Sequence, residues 1–154
     1  MRIAIGCDHA GYDLKMEIKG YLVKREDEYK DFGCFSKEAC DYPDIAHAVA
    51  KAVASGDFDR GILICGTGAG MAMSANKVPG IRAAAAHDCY TAMMTRLDND
   101  ANIVTLGGRV LGSGLAVQIV ETWLKTEFSN VARHAERVGK ISRIEKEYRS
   151  GGGA

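Results

Sequence analysis

Apolar and polar positions follow two rhythms along this chain, and the rhythms alternate. Residues 2–7 are a short apolar run that reads as a strand, with Asp8-His9-Ala10-Gly11 as its loop. Leu14, Ile18, Tyr21 and Leu22 then recur at i, i+4, i+7 and i+8, one face of a helix over about 12–24. Residues 28–32 are a weaker strand ending at Gly33, and 34–42 form a polar, irregular loop. Pro43 suits the first turn of a helix, Ile45, Val49, Ala52 and Val53 give it an apolar face, and Gly56 ends it. Residues 61–65 are apolar throughout, as a strand is when both faces of a parallel sheet are covered. Helices over about 70–77, 89–96 and 114–126 alternate with strands over 81–86 and 103–106. A last helix, about 133–149, carries a charged face, and the tail 151–154 is expected to be disordered.

Strand and helix alternate five times. That pattern predicts an α/β fold, a three-layer sandwich with a five-stranded parallel sheet and right-handed crossovers, in one domain over 1–150. Ligands in such folds bind beyond the carboxyl ends of the strands. Asp8 and His9 follow strand one, Cys65 to Gly70 follow strand three, His87 follows strand four and Arg109 follows strand five.

Charge changes this picture by exclusion. The chain has 20 basic and 20 acidic residues, so no global electrostatic case exists for nucleic acid or an anionic membrane. No apolar run reaches the roughly 18 residues that span a bilayer. The first residues enter a strand pattern without a signal-peptide layout, so a cytoplasmic location is expected. The five cysteines are odd in number and lack C-x-x-C spacing, which argues for reduced thiols rather than a zinc site or disulfide framework. Cys7 reads as core, and Cys34, Cys40 and Cys89 are given no role. His47, Trp123 and the methionines Met71, Met73, Met93 and Met94 read as packing or surface residues.

The densest chemistry lies in Ile62-Leu63-Ile64-Cys65-Gly66-Thr67-Gly68-Ala69-Gly70-Met71. Gly66, Gly68 and Gly70 let the backbone approach a ligand and turn N–H groups toward an anion. A thiol at that turn has its thiolate favoured, which suits a base or nucleophile. The plainer alternative is a tight turn with an inert cysteine. The spacing is G-x-G-x-G with Met71 next, which does not match the dinucleotide fingerprint, and no Walker A ending follows. Arg133 and Arg137 share a helix face, with His134 beside them; paired guanidinium groups hold phosphates, although most such pairs are solvated surface. A thiolate base, a backbone cradle and arginines together suit a small phosphorylated carbonyl compound.

Gly6-Cys7-Asp8-His9-Ala10-Gly11, Asp41-Tyr42-Pro43, Ile64-Cys65-Gly66-Thr67-Gly68, Ala75-Asn76-Lys77-Val78-Pro79-Gly80-Ile81-Arg82, Asn99-Asp100-Ala101-Asn102 and Arg133-His134 with Arg137 resemble the type B ribose-5-phosphate isomerase family, which also holds galactose-6-phosphate isomerase subunits. The resemblance implies a Rossmann-like fold and a homodimer, or a further pairing of dimers, with sites shared between subunits. It implies aldose–ketose interconversion of ribose 5-phosphate and ribulose 5-phosphate without metal or cofactor. It makes Cys65 the base and Thr67 its assisting hydroxyl, with the amides of Gly66 through Gly70 on the enediolate. Asp8, Tyr42 and Asn99 match the sugar pocket. His9, Arg109, Arg133 and Arg137 match the phosphate end, with Arg109 and Asn99 expected from the partner. The family usually has a ring-opening histidine where this chain has Asp98. Asp98, His134 or His87 then becomes the candidate for ring opening. Relatives acting on tetrulose phosphates also lack that histidine and share a His-Asp-x-Tyr block, here His87-Asp88-Cys89-Tyr90. The alternatives are thus isomerisation of a tetrose 4-phosphate or of allose or galactose 6-phosphate, a non-catalytic sugar-phosphate-binding subunit, or a nucleotide-binding module.

Overall fold

The computed structural model describes residues 1–150, so the expectation of a disordered tail at 151–154 lies outside the described residues. The elements run β1 (Arg2–Cys7), a 3-10 turn (His9–Gly11), α1 (Tyr12–Lys24), β2 (Glu28–Asp31), α2 (Tyr42–Ala54), β3 (Arg60–Cys65), α3 (Ala69–Ala75), β4 (Ala83–Ala85), α4 (Cys89–Leu97), β5 (Ile103–Gly107), α5 (Ser113–Lys125) and α6 (Ala132–Ser150). The five strands form one parallel sheet in the order β2-β1-β3-β5-β4.

Pleat alternation divides the apolar strand residues between two cores. Ile3, Ile5, Ile62, Ile64, Val104 and Leu106 pack with residues of α1, α4 and α5, including the fully buried Trp123. Ala4, Leu63, Cys65 and Ile103 pack on the other face with Val49 of α2 and Met71 of α3. This is the expected three-layer sandwich, and it explains why β3 is buried at every position. A Cβ on Gly6 would lie 2.6 Å from an Ile45 methyl, so glycine there lets α2 sit close on the sheet.

Two expected elements are shorter than their apolar runs. β4 occupies only Ala83–Ala85, because side chains of the neighbouring turns take over its start. Asn76 Oδ1 accepts from the Ala83 amide, and Asn102 Oδ1 accepts from the Arg82 amide, both at 2.8 Å. The same Asn76 follows directly on the end of α3 at Ala75, so that helix stops short of Lys77.

The sheet reverses its order between β1 and β3. The connection through α1 leads outward to β2, and the connection through α2 returns past β1 to β3. Such a reversal opens a crevice at the carboxyl ends of the two strands. Their last residues are Cys7 and Cys65, so the loops that begin at Asp8 and Gly66 flank it.

Lys15 holds the outer edge near this crevice. It is fully buried, and its Nζ donates to Asp31 Oδ1 at 2.8 Å and to the Cys34 carbonyl at 2.6 Å. Burial alone would raise the Asp31 pKa, but hydrogen bonds from Lys15, Lys19 and the Gly33 amide outweigh it and hold the carboxyl below its usual range. Asp31→Asn leaves Lys15 as a buried charge without its counter-ion, which costs about 3 kcal/mol of stability at neutral pH. A depressed carboxylate stabilises above its unfolded pKa and loses that contribution as pH falls through the folded one. Urea unfolding of wild type from about pH 7 downward should therefore show a loss of stability below about pH 4 that is smaller in Asp31→Asn.

Candidate active site

The turn after β3 is held from beneath by the end of β5. Cys65 pairs with Gly107, the Gly108 amide donates to the Cys65 carbonyl at 2.7 Å, and the Arg109 amide donates to the Gly66 carbonyl at 3.0 Å. Thr105 Oγ1 donates to the Gly68 carbonyl at 2.8 Å. Gly68 has φ +83°, and a Cβ there would lie 3.1 Å from Leu106 backbone. Both facts require glycine.

This seat aims the Gly68 amide at the thiol: its N–H donates to Cys65 Sγ at 3.1 Å. Cys65 is buried, with 5% of its surface exposed. Thr67 Oγ1 accepts from the Ala69 amide at 3.3 Å, and His87 Nε2 donates to the Thr67 carbonyl at 2.8 Å. Asp88 fixes His87 from the next position by capping α4, with Oδ1 accepting from the Thr91 amide at 2.7 Å. A Cβ on Gly70 would sit 2.8 Å from the Tyr42 ring, so Tyr42 packs against the start of α3 and walls the turn.

The loop after β1 forms the facing wall. Asp8 is buried, and its Oδ1 accepts from the Gly11 amide at 3.0 Å. The Asp8 amide donates to the Ile64 carbonyl at 3.0 Å, tying this loop to β3. His9 Nδ1 is buried without a hydrogen-bond partner among the described residues. A buried polar atom left unpaired is costly, which marks it as available to a ligand.

Within this chain the Arg109 side chain lies 3.6 Å from the Cβ position of Gly66. The cause is the backbone pairing of Gly108 and Arg109 onto Cys65 and Gly66, which carries the side chain to its own chain's turn.

The remaining expected residues lie elsewhere. α4 runs back along the sheet from the carboxyl end of β4, so Asp98 and Asn99 emerge where β5 begins. Ile103, the first residue of β5, pairs with Gly61 near the start of β3, and the loop is about 16 Å, one five-residue strand, from the Cys65 end. His134 joins this second group: its Nδ1 is 3.3 Å from Asp98 Oδ1 and 2.8 Å from Ser129 Oγ. Arg133 Nε donates to His134 Nε2 at 3.0 Å, so the proton of a neutral ring sits on Nδ1, whose hydrogen-bond partner is Ser129 Oγ, with Asp98 close beside it. Arg137 follows one turn later on α6, exposed. A groove of about 720 Å³ opens beside them, lined by Arg82, Asn99, Ile141, Ile144 and Tyr148. The sequence reading missed the Asp98–His134 contact, for which the only signal was two polar residues far apart in the chain.

Among the described residues, no group of three or more His, Cys, Asp or Glu side chains could hold a metal ion. None of their helices is long and apolar enough to cross a membrane.

Residues 3–141 match the family model described as Ribose/Galactose Isomerase. The chain belongs to that family. It is 48% identical over 145 residues to ribose-5-phosphate isomerase B of Escherichia coli, covering 94% of this chain and 97% of that protein. It is 43% identical to the D-erythrulose-4-phosphate isomerase of Pectobacterium atrosepticum, covering 95% and 98%. Among solved structures, the ribose-5-phosphate isomerase B of Clostridium thermocellum superposes with a TM-score of 0.94 at 58% identity, over 96% of this chain and 99% of that one.

Gly68→Ala tests the seat of the turn in this isomerase-family chain. The left-handed φ and the Leu106 backbone leave a methyl no room, so the substitution should cost about 1–3 kcal/mol of stability. It should also displace the amide from Cys65 and lower kcat roughly 100-fold, as small misplacements in a site do. Thermal melting and steady-state kinetics measure the two effects.

Proposed function

We propose that this chain is a cytoplasmic homodimeric aldose–ketose isomerase that interconverts ribose 5-phosphate and ribulose 5-phosphate, with Cys65 as the base and 1–150 as a single catalytic domain. The observation that carries the reading is the Cys65 thiol at the sheet's switch point, held by the Gly68 amide and faced by the Asp8–His9 loop.

In the forward direction the Cys65 thiolate takes the proton from carbon 2 of the aldose. The C–H electron pair becomes the carbon 1–carbon 2 double bond, and negative charge moves to the carbonyl oxygen on carbon 1. Amides of the Gly66–Gly70 turn lie where that oxygen develops charge, since the first turn of a helix leaves its N–H groups without intrahelical partners. Cys65 returns the proton to carbon 1, and the carbon 2 hydroxyl becomes the carbonyl as its proton passes to the carbon 1 oxygen. Thr67, exposed beside Cys65, is the hydroxyl placed to relay that proton. Asp8 and Tyr42 wall the sugar, and the unpaired His9 Nδ1 and Arg109 are the groups of this loop set available to an anion.

Asp98, Asn99, Arg133, His134 and Arg137 stand about one strand length from Cys65, so one chain does not bring both groups to one sugar. A second copy, related by two-fold symmetry, supplies them. Ile141, Ile144 and Tyr148 of α6 are exposed apolar side chains along the groove beside Asn99, which supports burial against another copy. Five free thiols support a reducing compartment. For ring opening, both nitrogens of His134 are already engaged, so Asp98 is the group that takes the anomeric proton and His134 positions it.

Turnover without added metal on ribose 5-phosphate and erythrose 4-phosphate, side by side, tests the substrate. Preference for ribose 5-phosphate is expected. A larger kcat/KM for the tetrose, which cannot close a furanose ring, would assign the chain to the open-chain branch of its family instead.

Subunit mixing tests the shared site. Cys65→Ala and Asn99→Ala homodimers should each be nearly inactive. After the two are unfolded and refolded together, random pairing gives half heterodimers with one intact site in two, so about a quarter of wild-type turnover should return. No recovery, with heterodimers verified by mass, rejects a site built from two chains.

A further inference from the structure

Asp98 and His134 stand side by side, but the imidazole hydrogen between them goes elsewhere. Arg133 Nε can only donate, so its bond to His134 Nε2 at 3.0 Å leaves the neutral ring one hydrogen, on Nδ1. Two oxygens compete for it. Ser129 Oγ is 2.8 Å from Nδ1 and makes the hydrogen bond, whereas Asp98 Oδ1 stands at 3.3 Å. A nitrogen donor bonds best near 2.9 Å, so the serine holds the hydrogen and the carboxylate lies beside it. His134 is buried, which leaves little solvent to compete.

The backbone fixes the serine in this place. Its amide donates to the carbonyl of Leu97, the residue before Asp98, at 3.2 Å, and the His134 amide donates to the Val131 carbonyl at 2.8 Å. Asn130 takes a left-handed φ of +53°, which asparagine tolerates, and turns the chain sharply into α6. Ser129 Oγ also accepts from the Val131 amide at 3.4 Å. One hydroxyl is thus tied both to the Asp98 loop and to the helix carrying His134, and the proposed mechanism gives it no part. A nucleophilic role is excluded by geometry. Ser129 and Asp98 meet the same ring nitrogen, so no imidazole base stands between them to activate the hydroxyl.

We infer that Ser129 is a positioning residue for ring opening: it takes the His134 hydrogen, so that the Asp98 carboxylate stays free to accept a proton from the sugar. The inference rests on the isomerase reading with Asp98 as the ring-opening base. In that step Asp98 takes the proton of the carbon 1 hydroxyl of the cyclic sugar. The O–H pair becomes the carbonyl double bond, the bond from carbon 1 to the ring oxygen breaks, and its pair leaves on that oxygen. The ring oxygen takes a proton from water, and the hydroxide formed receives the proton held by Asp98. A carboxylate that already accepts an N–H bond has its charged form favoured and binds a proton less well. Without the Ser129 hydroxyl, Asp98 is the acceptor left beside Nδ1, and the hydrogen passes to it.

The test separates ring opening from the chemistry at carbons 1 and 2. Ribulose 5-phosphate is open-chain, because its phosphate occupies the oxygen that would close a furanose ring. Uptake of solvent deuterium at its carbon 1 therefore reports proton abstraction alone, whereas turnover of cyclic ribose 5-phosphate needs ring opening as well. Ser129→Ala should lower kcat/KM for ribose 5-phosphate about tenfold, part of what a general base contributes, while deuterium uptake keeps pace with wild type. Ser129→Thr keeps the hydroxyl and should restore most of the rate. Asp98→Asn should show the same split, and adding Ser129→Ala to it should lower turnover no further. Equal losses of turnover and uptake in Ser129→Ala would mean a disturbed site and overturn the inference. Wild-type turnover in Ser129→Ala beside a slow Asp98→Asn would also overturn it and leave Asp98 as the base. Wild-type turnover in Asp98→Asn would remove that base and the inference with it. No deuterium uptake by the wild-type protein would reject the isomerase reading itself.

Discussion

Everything at the carboxyl end depends on how the 65–70 turn is seated on the end of β5. The seat is almost wholly backbone. Two amides from the β5 loop reach the carbonyls of Cys65 and Gly66, and Gly68 lies against the main chain of Leu106. One side chain, Thr105, completes it from inside the sheet, fully buried. Main-chain groups cannot change rotamer, so the Gly68 amide meets the Cys65 sulfur at a fixed position. The register of β3 on β5 thereby becomes a constraint on the thiol, and sheet packing and site geometry are one problem. The same pairing carries Arg109 to Gly66, which makes the phosphate-binding candidate a consequence of strand register too.

The amino end is held by a different kind of interaction. The guanidinium carbons of Arg60 and Arg96 lie 5.3 and 6.0 Å from the centroid of the buried Trp123 ring. Arg60 donates to the carbonyls of Trp123 and Leu124 at the end of α5, where a helix leaves its acceptors open. Arg96 donates to the Ala101 carbonyl and to Asp100, and Arg82 also reaches Asp100. Burial, with the charge of Arg96 nearby, pushes the Arg60 pKa down, and the helix carbonyls and Glu127 compensate. The loop carrying Asp98 and Asn99 is thus braced by charged groups although Asn99 itself is exposed.

The fold was largely legible because each element is periodic by itself. The helix at 12–24 follows from Leu14, Ile18 and Leu22, and β3 from an apolar run whose two faces are both covered. β4 was overestimated because Asn76 and Asn102 satisfy its first amides, and side-chain capping leaves no trace in hydropathy. Strand order was not legible, since either crossover direction preserves every pattern. The turn around Cys65 was legible from its glycines, but the placement of Arg109 beside Gly66 was not, because it depends on β3–β5 register.

The contact between His134 and Asp98 changes what the missing histidine means. A lone carboxylate in water is a poor base near neutrality. Here Asp98 meets an imidazole whose other nitrogen accepts from Arg133 and whose Nδ1 is hydrogen-bonded to Ser129, so the ring is fixed in one orientation beside the carboxylate. Placing histidine at 98 would set two imidazoles against each other and remove the acceptor that His134 faces. The aspartate is therefore part of a three-residue arrangement with Arg133 and His134, and substrate choice cannot be argued from position 98 alone. In the two-chain site proposed above, it would follow from where the carboxylate points when a second chain covers Cys65.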